Sequence, residues 1–142
     1  MAKVLANDST FEKEITVCTF GWLLVGHLVG DWLLQNDWMA TQKRQGYYTP
    51  AGMLHYSIYT VSILAALFLS KTEDVPFTFW VTAGVIVFAS HWLIDATNIV
   101  DRWMRLLRQS DLAWLRIVID QIAHILVLVV IALLAPDAIP RC

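Results

Sequence analysis

Residues 112–134 read Leu-Ala-Trp-Leu-Arg-Ile-Val-Ile-Asp-Gln-Ile-Ala-His-Ile-Leu-Val-Leu-Val-Val-Ile-Ala-Leu-Leu, and Pro136 follows. The run exceeds the about 20 mostly apolar residues that a helix needs to cross the hydrocarbon core of a bilayer. Inside it stand Arg116, Asp120 and His124, each four residues from the next. On a helix, steps of four return to nearly the same face, so the three groups form one polar stripe. Ionisable side chains in lipid cost a few kcal/mol each and persist mainly where they face a bundle interior, pair, or hold an ion. This segment alone predicts a membrane helix whose polar face is turned towards other helices.

Three further apolar stretches precede it. The first expected span runs from about 15 to 40 and is the least apolar, carrying His27, Asp31, Gln35 and Asn36. Residues 41–50 are polar and end in a helix-starting Pro50, which predicts a loop and then a second span at about 50–70. A polar turn at 71–76 leads to a third span at about 77–100. Its helix is expected to continue into residues 101–109, where Trp103, Leu106 and Leu107 alternate with Arg102, Arg105 and Arg108 as in an interfacial helix. Of the 142 residues 58% are hydrophobic and only 15% charged, against about 25% charged in a soluble domain. The expectation is a single all-α transmembrane domain over residues 1–142, an integral membrane four-helix bundle. A net charge of −2 gives no nucleic-acid footprint. No cleavable signal peptide is expected, because the N-terminus is polar and the first apolar run carries His27 and Asp31.

Orientation follows from the basic residues. Lys43, Arg44, Arg102, Arg105, Arg108 and Arg116 cluster on one expected face, whereas Lys3, Lys13, Lys71 and Arg141 on the other are diluted by acidic residues. The positive-inside rule then puts the first face in the cytoplasm and both termini outside, in a multi-pass membrane protein. Trp38, Trp103 and Trp114 lie near the expected cytoplasmic ends and Trp80 near the other, as interface anchors.

Each of the four histidines, His27, His55, His91 and His124, falls in a different span, and three have an aspartate four residues away. His27, Asp31 and Gln35 share an arc of about 80°, as do His91, Asp95, Asn98 and Arg102, and Arg116, Asp120 and His124. Counted inward at about 1.5 Å per residue, His55, Asp31, Asp95 and Asp120 lie roughly 7–11 Å deep, with the other histidines about one turn beyond. Antiparallel helices thus bring their stripes to one layer near the basic face. Imidazole and carboxylate together suit zinc, iron or manganese, and facing helices of a bundle are a recurrent way to hold one or two such ions. The candidate metal ligands are His27, Asp31, His55, His91, Asp95, Asp120 and His124. A metal-bound water has its pKa lowered towards about 7, which supplies hydroxide for hydrolysis, with Asp31, Asp95 or Asp120 as the catalytic carboxylate. Cys18 and Cys142 lack metal spacing and are expected neither to ligate nor to pair.

The same residues admit other uses. His–Asp pairs can satisfy each other and lock helices together, or relay protons. A non-catalytic subunit of a larger membrane complex could use such histidines to ligate haem or chlorophyll. Gly26 and Gly30 form G-x-x-x-G, a close-packing face. Gln35 and Asn98 are candidate hydrogen-bond partners of the site, and Arg102 and Arg116 could receive an anionic headgroup or phosphate. Spans one and two and spans three and four carry similar ligand sets, which suggests a pseudo-twofold repeat along the membrane normal.

His27-x-x-x-Asp31-x-x-x-Gln35, the lone His55, His91-Trp92-x-x-Asp95 and Asp120-Gln121-x-x-His124 together resemble the small four-helix bacterial and phage membrane proteins known as domain of unknown function 3307. The likeness covers about residues 20–130. More distantly the layout is similar to membrane-bound metal-dependent hydrolases, and that similarity implies hydrolysis of an amphiphilic or lipid-linked substrate.

Overall fold

The computed structural model describes residues 18–71, 74–109 and 112–136. Among them every regular element is helical: α1 (Thr19–Leu28), a π-helical turn (Val29–Leu33), α2 (Asp37–Gln42), α3 (Pro50–Ser70), α4 (Phe77–Ala96), α5 (Ile99–Leu106) and α6 (Ala113–Leu134). Three of these, α3, α4 and α6, are long and apolar enough to cross a membrane. Of the earlier expectations, Ile15, Lys3, Lys13, Glu73, Arg141 and Cys142 lie outside the described residues.

Local chemistry sets the boundaries. Pro50 opens α3, where its fixed φ suits a helix and its missing N–H is not needed, while Thr49 Oγ1 accepts from Gly52 N at 3.1 Å. The residue before a proline is driven towards extended backbone. Ala135, preceding Pro136, has φ −62° and ψ 134° and ends α6.

The first polar segment departs from a continuous helix over 15–40. The backbone widens after Leu28, with Leu34 N donating to Val29 O at 2.9 Å across five residues. The chain then leaves the helix at Gln35 and restarts at Asp37, where Asn36 Oδ1 caps the new helix by accepting from Met39 N at 2.9 Å. The polar Gln35-Asn36 pair thus marks a change of direction. Likewise the third helix does not run on into the basic segment: extended Thr97 breaks it, and α5 is a separate helix that buries Val100 and Met104 while Arg102 and Arg105 stay exposed.

Helix α1 packs against α3 and α6, and α4 packs against the same two, so the short α1 and the three long helices close a ring. Lipid offers no hydrophobic drive between helices, so close approach of small residues carries much of the attraction. A Cβ at Gly26 would stand 2.8 Å from Ala66 Cβ and 2.9 Å from the Ser62 carbonyl oxygen; one at Gly30 would stand 3.0 Å from Tyr59 Cα. The G-x-x-x-G face is therefore the contact between α1 and α3, as expected. One end of the ring interior is apolar, around Leu23, Ile63, Leu67, Val87, Leu128 and Ile131. The opposite end is polar.

Cys18 is disulfide-bonded, which corrects the expectation that it stays unpaired; Cys142 lies outside the described residues.

Candidate metal centre

The polar end is built from four directions. The π turn carries Asp31, α3 carries His55, α4 carries His91 and Asp95, and α6 carries Asp120 and His124. A π turn inserts one residue into the helical repeat, which shifts the phase of everything after it; such turns recur at functional sites. Here the shift falls on the one segment that must deliver a carboxylate. Asp31, His55, His91, Asp95 and His124 are all buried.

Four ligand atoms converge. His55 Nε2 lies 3.2 Å from Asp31 Oδ1, 3.3 Å from Asp95 Oδ2 and 3.0 Å from His91 Nε2. His91 Nε2 lies 3.6 Å from Asp95 Oδ2 and 3.9 Å from Asp31 Oδ1. Bonds of about 2.0–2.2 Å place ligand atoms about 3.3–3.6 Å apart on a tetrahedron and about 2.8–3.1 Å apart on an octahedron. The observed spacings of 3.0–3.9 Å bracket the tetrahedral value, so this set can hold one divalent ion. A second group, Asp31, Asp120 and His124, also offers ligand atoms all within 4.8 Å of one another. Asp31 belongs to both groups.

His27 enters neither group. Its Nδ1 accepts from Tyr59 Oη at 3.1 Å and its Nε2 donates to Gln121 Oε1 at 2.8 Å, leaving no free lone pair. Gln121 Oε1 also accepts from Trp32 Nε1 at 3.2 Å, so the Gln121 amine turns to Asp31 and donates to its Oδ2 at 2.9 Å. His27 thereby orients Gln121, and Gln121 orients Asp31. Tyr59 additionally stacks on the His91 ring, with centroids 3.8 Å apart and planes 10° from parallel. The sequence carried a signal for Tyr59, which is four residues after His55 on the same face of α3. For Gln121 there was only its place beside Asp120.

Lys43 is the residue that sequence reasoning missed. Counted among the basic residues of the cytoplasmic face, it is instead buried, its ammonium donating to Asp95 Oδ2 at 2.5 Å, Gln35 Oε1 at 2.7 Å and His55 Nε2 at 3.2 Å. The break at Gln35-Asn36 and the short α2 bring it there, and no periodicity of the sequence reports that fold-back. Gln35 is thus bonded to the site through Lys43. Asn98 and Arg102 are exposed, and Arg116 reaches Asp101 instead, with Nε 2.8 Å from Oδ1 and NH2 2.9 Å from Oδ2, tying α6 to α5.

Fold and site define an all-helical protein with three helices able to cross a membrane and a buried His/Asp cluster able to hold a metal ion. The chain belongs to the family described as protein of unknown function, DUF3307, whose model matches residues 19–139. No curated protein and no solved structure shows significant similarity to it.

Proposed function

We propose that this chain is a multi-pass membrane protein holding a divalent transition-metal ion, zinc, iron or manganese, at Asp31, His55, His91 and Asp95. The carrying observation is the convergence of two imidazole nitrogens and two carboxylate oxygens, from three separate helical segments, at spacings of 3.0–3.9 Å. Asp95 Oδ2 and His55 Nε2 already accept from the Lys43 ammonium, and a divalent ion held by the four atoms would take the place of that cation.

The chemistry this supports is hydrolysis of an amphiphilic or lipid-linked substrate. An ion there lowers the pKa of bound water towards about 7. Asp120, with a side chain 13% exposed, is the most accessible carboxylate of the cluster and is the residue that would accept a proton as general base. An apolar groove of about 450 Å³ between α4, α5 and α6, lined by Ile94, Val100, Trp103, Ile119 and Ala123, lies beside the sequence positions of Asp95, Asp120 and His124 and suits an acyl chain. The bacterial inner membrane, with the basic loops in the cytoplasm, is the matching location; a disulfide at Cys18, before α1, belongs to the oxidising side opposite that face.

Haem or chlorophyll ligation in a larger complex fits less well. A tetrapyrrole needs a broad slot beside an isolated imidazole, whereas the His91 ring lies 4.9 Å from that of His55 and 4.6 Å from that of His124. A second reading has its own observation: Lys43 already sets a cation on Asp95, and the cluster would then be an ion-paired lock between helices. Metal analysis of detergent-purified protein decides. Stoichiometric transition metal supports the centre, and its absence after loading with zinc or manganese would leave the lock. Hydrolysis is tested with long-chain acyl and phosphate esters in micelles, where turnover must vanish with chelator and return with metal.

A further inference from the structure

Beyond the single ion proposed above, and resting on that reading, His124 and one oxygen of Asp95 have no assigned work. The His124 ring is fixed by its backbone. Nδ1 lies 2.8 Å from the main-chain oxygen of Asp120, one turn back on α6. A carbonyl only accepts, so Nδ1 carries the proton and Nε2 bears the lone pair. That is how metal-binding histidines are usually oriented, with one nitrogen donating to a backbone carbonyl and the other free for the ion. His124 Nε2 is buried and lacks a hydrogen-bond partner. Facing it at 3.8 Å is Asp95 Oδ1, also buried and also without one.

Two lone-pair atoms facing each other over 3.8 Å repel, and a cation bound by both removes that repulsion. Two ligands on one ion, with bonds of about 2.0–2.2 Å, are themselves about 3–4 Å apart. The other oxygen of Asp95 belongs to the first ligand set, and Asp31 is a member of both groups of potential ligands. We propose that the centre holds two divalent ions, the second bound by His124 Nε2, Asp95 Oδ1, Asp31 and Asp120, with the carboxylates of Asp31 and Asp95 shared between the two.

Ions about 3.5–4 Å apart form the arrangement that hydrolytic enzymes use to clamp both the attacking and leaving oxygens of a substrate. Asp120 ligates through one oxygen and retains the other for the proton. The ligand set of mixed imidazole and carboxylate suits manganese, iron or zinc. Manganese is the useful probe because two neighbouring Mn(II) ions couple magnetically and an isolated one does not.

The full-length protein in detergent, loaded with MnCl2 and desalted, is assayed for metal by mass spectrometry and for spin coupling by electron paramagnetic resonance. The expected result is two manganese per chain with a coupled spectrum, falling in His124→Gln to one per chain with the six-line spectrum of an isolated ion. Asp120→Asn is the second variant, expected to weaken the second ion by tenfold or more and to leave the first. One manganese per chain with a six-line spectrum in the unmodified protein would overturn the second position and leave the single-ion reading standing. No bound manganese or zinc overturns both. Two coupled ions that survive His124→Gln overturn the assignment of His124.

Discussion

At the residue scale, the buried ammonium of Lys43 sets the terms on which any metal enters. It lies 3.2 Å from His55 Nε2 and 3.9 Å from Asp31 Oδ1, inside the space that these ligands share. A divalent ion in the same space meets a like charge, and two unit charges 4 Å apart repel by about 4 kcal/mol at an effective dielectric of 20. Lys43 must therefore withdraw on metal binding, and its flexible four-carbon stem permits that. Lys43→Met is expected to raise metal affinity at least tenfold, measured by competition with a chromogenic chelator; unchanged or weaker binding would place the ammonium outside the ion's field. His91→Ala removes a ligand that no neighbour can replace and should cut affinity at least 100-fold. Gln121→Ala frees Asp31 Oδ2 and, as for other residues that orient a ligand, should cost 10–100-fold. His27→Ala should reproduce most of the Gln121 effect, because His27 acts on Asp31 only through that amide.

At the scale of elements, the contact of α1 with α3 decides whether Asp31 reaches the centre at all. Gly26 allows no Cβ without displacing backbone at Ser62 and the methyl of Ala66. Gly26→Leu should separate the two helices, lower the thermal midpoint in detergent by several degrees, and abolish metal binding although no ligand is altered; overpacking of this kind typically costs about 1–3 kcal/mol. Gly84, whose Cβ would meet only Leu64 Cδ1 at 3.5 Å, is the control, and Gly84→Ala should change neither property. This contact was legible from G-x-x-x-G, and the positions of α3, α4 and α6 were legible from their apolar runs and flanking prolines. The π turn and the break at Gln35-Asn36 were not, since a reading at 100° per residue presumes the regular helix that both features interrupt. That is also why Lys43 reads from the sequence as a surface charge of the basic face: only the broken backbone brings it beside Asp95.

For the whole molecule, the three stripes and His55 were expected to meet at one level, and the structure brings Asp31, His55, His91 and Asp95 together, with Asp120 and His124 beside them. His27 shares the stripe of Asp31 yet supports it from behind, a distinction that depends on side-chain partners and not on phase. With Lys43 turned inward, the positive-inside argument rests on five basic residues instead of six, and Arg116 is itself paired with Asp101. Orientation is better argued from two opposed features. Exposed Arg44, Arg102, Arg105 and Arg108 gather at the polar end of the ring, while the disulfide of Cys18 lies before α1, at the other. Basic residues favour the cytoplasmic leaflet and disulfides persist on the oxidising side, so both agree with the orientation proposed above, in which the polar end faces the cytoplasm. Arg105→Cys in the exposed face of α5 reports this directly. In intact cells its thiol should be blocked by a membrane-permeant maleimide and spared by an impermeant one, and should react with both once the membrane is opened. Labelling by the impermeant reagent in intact cells would invert the molecule, place the His/Asp cluster at the outer face, and overturn the proposed orientation.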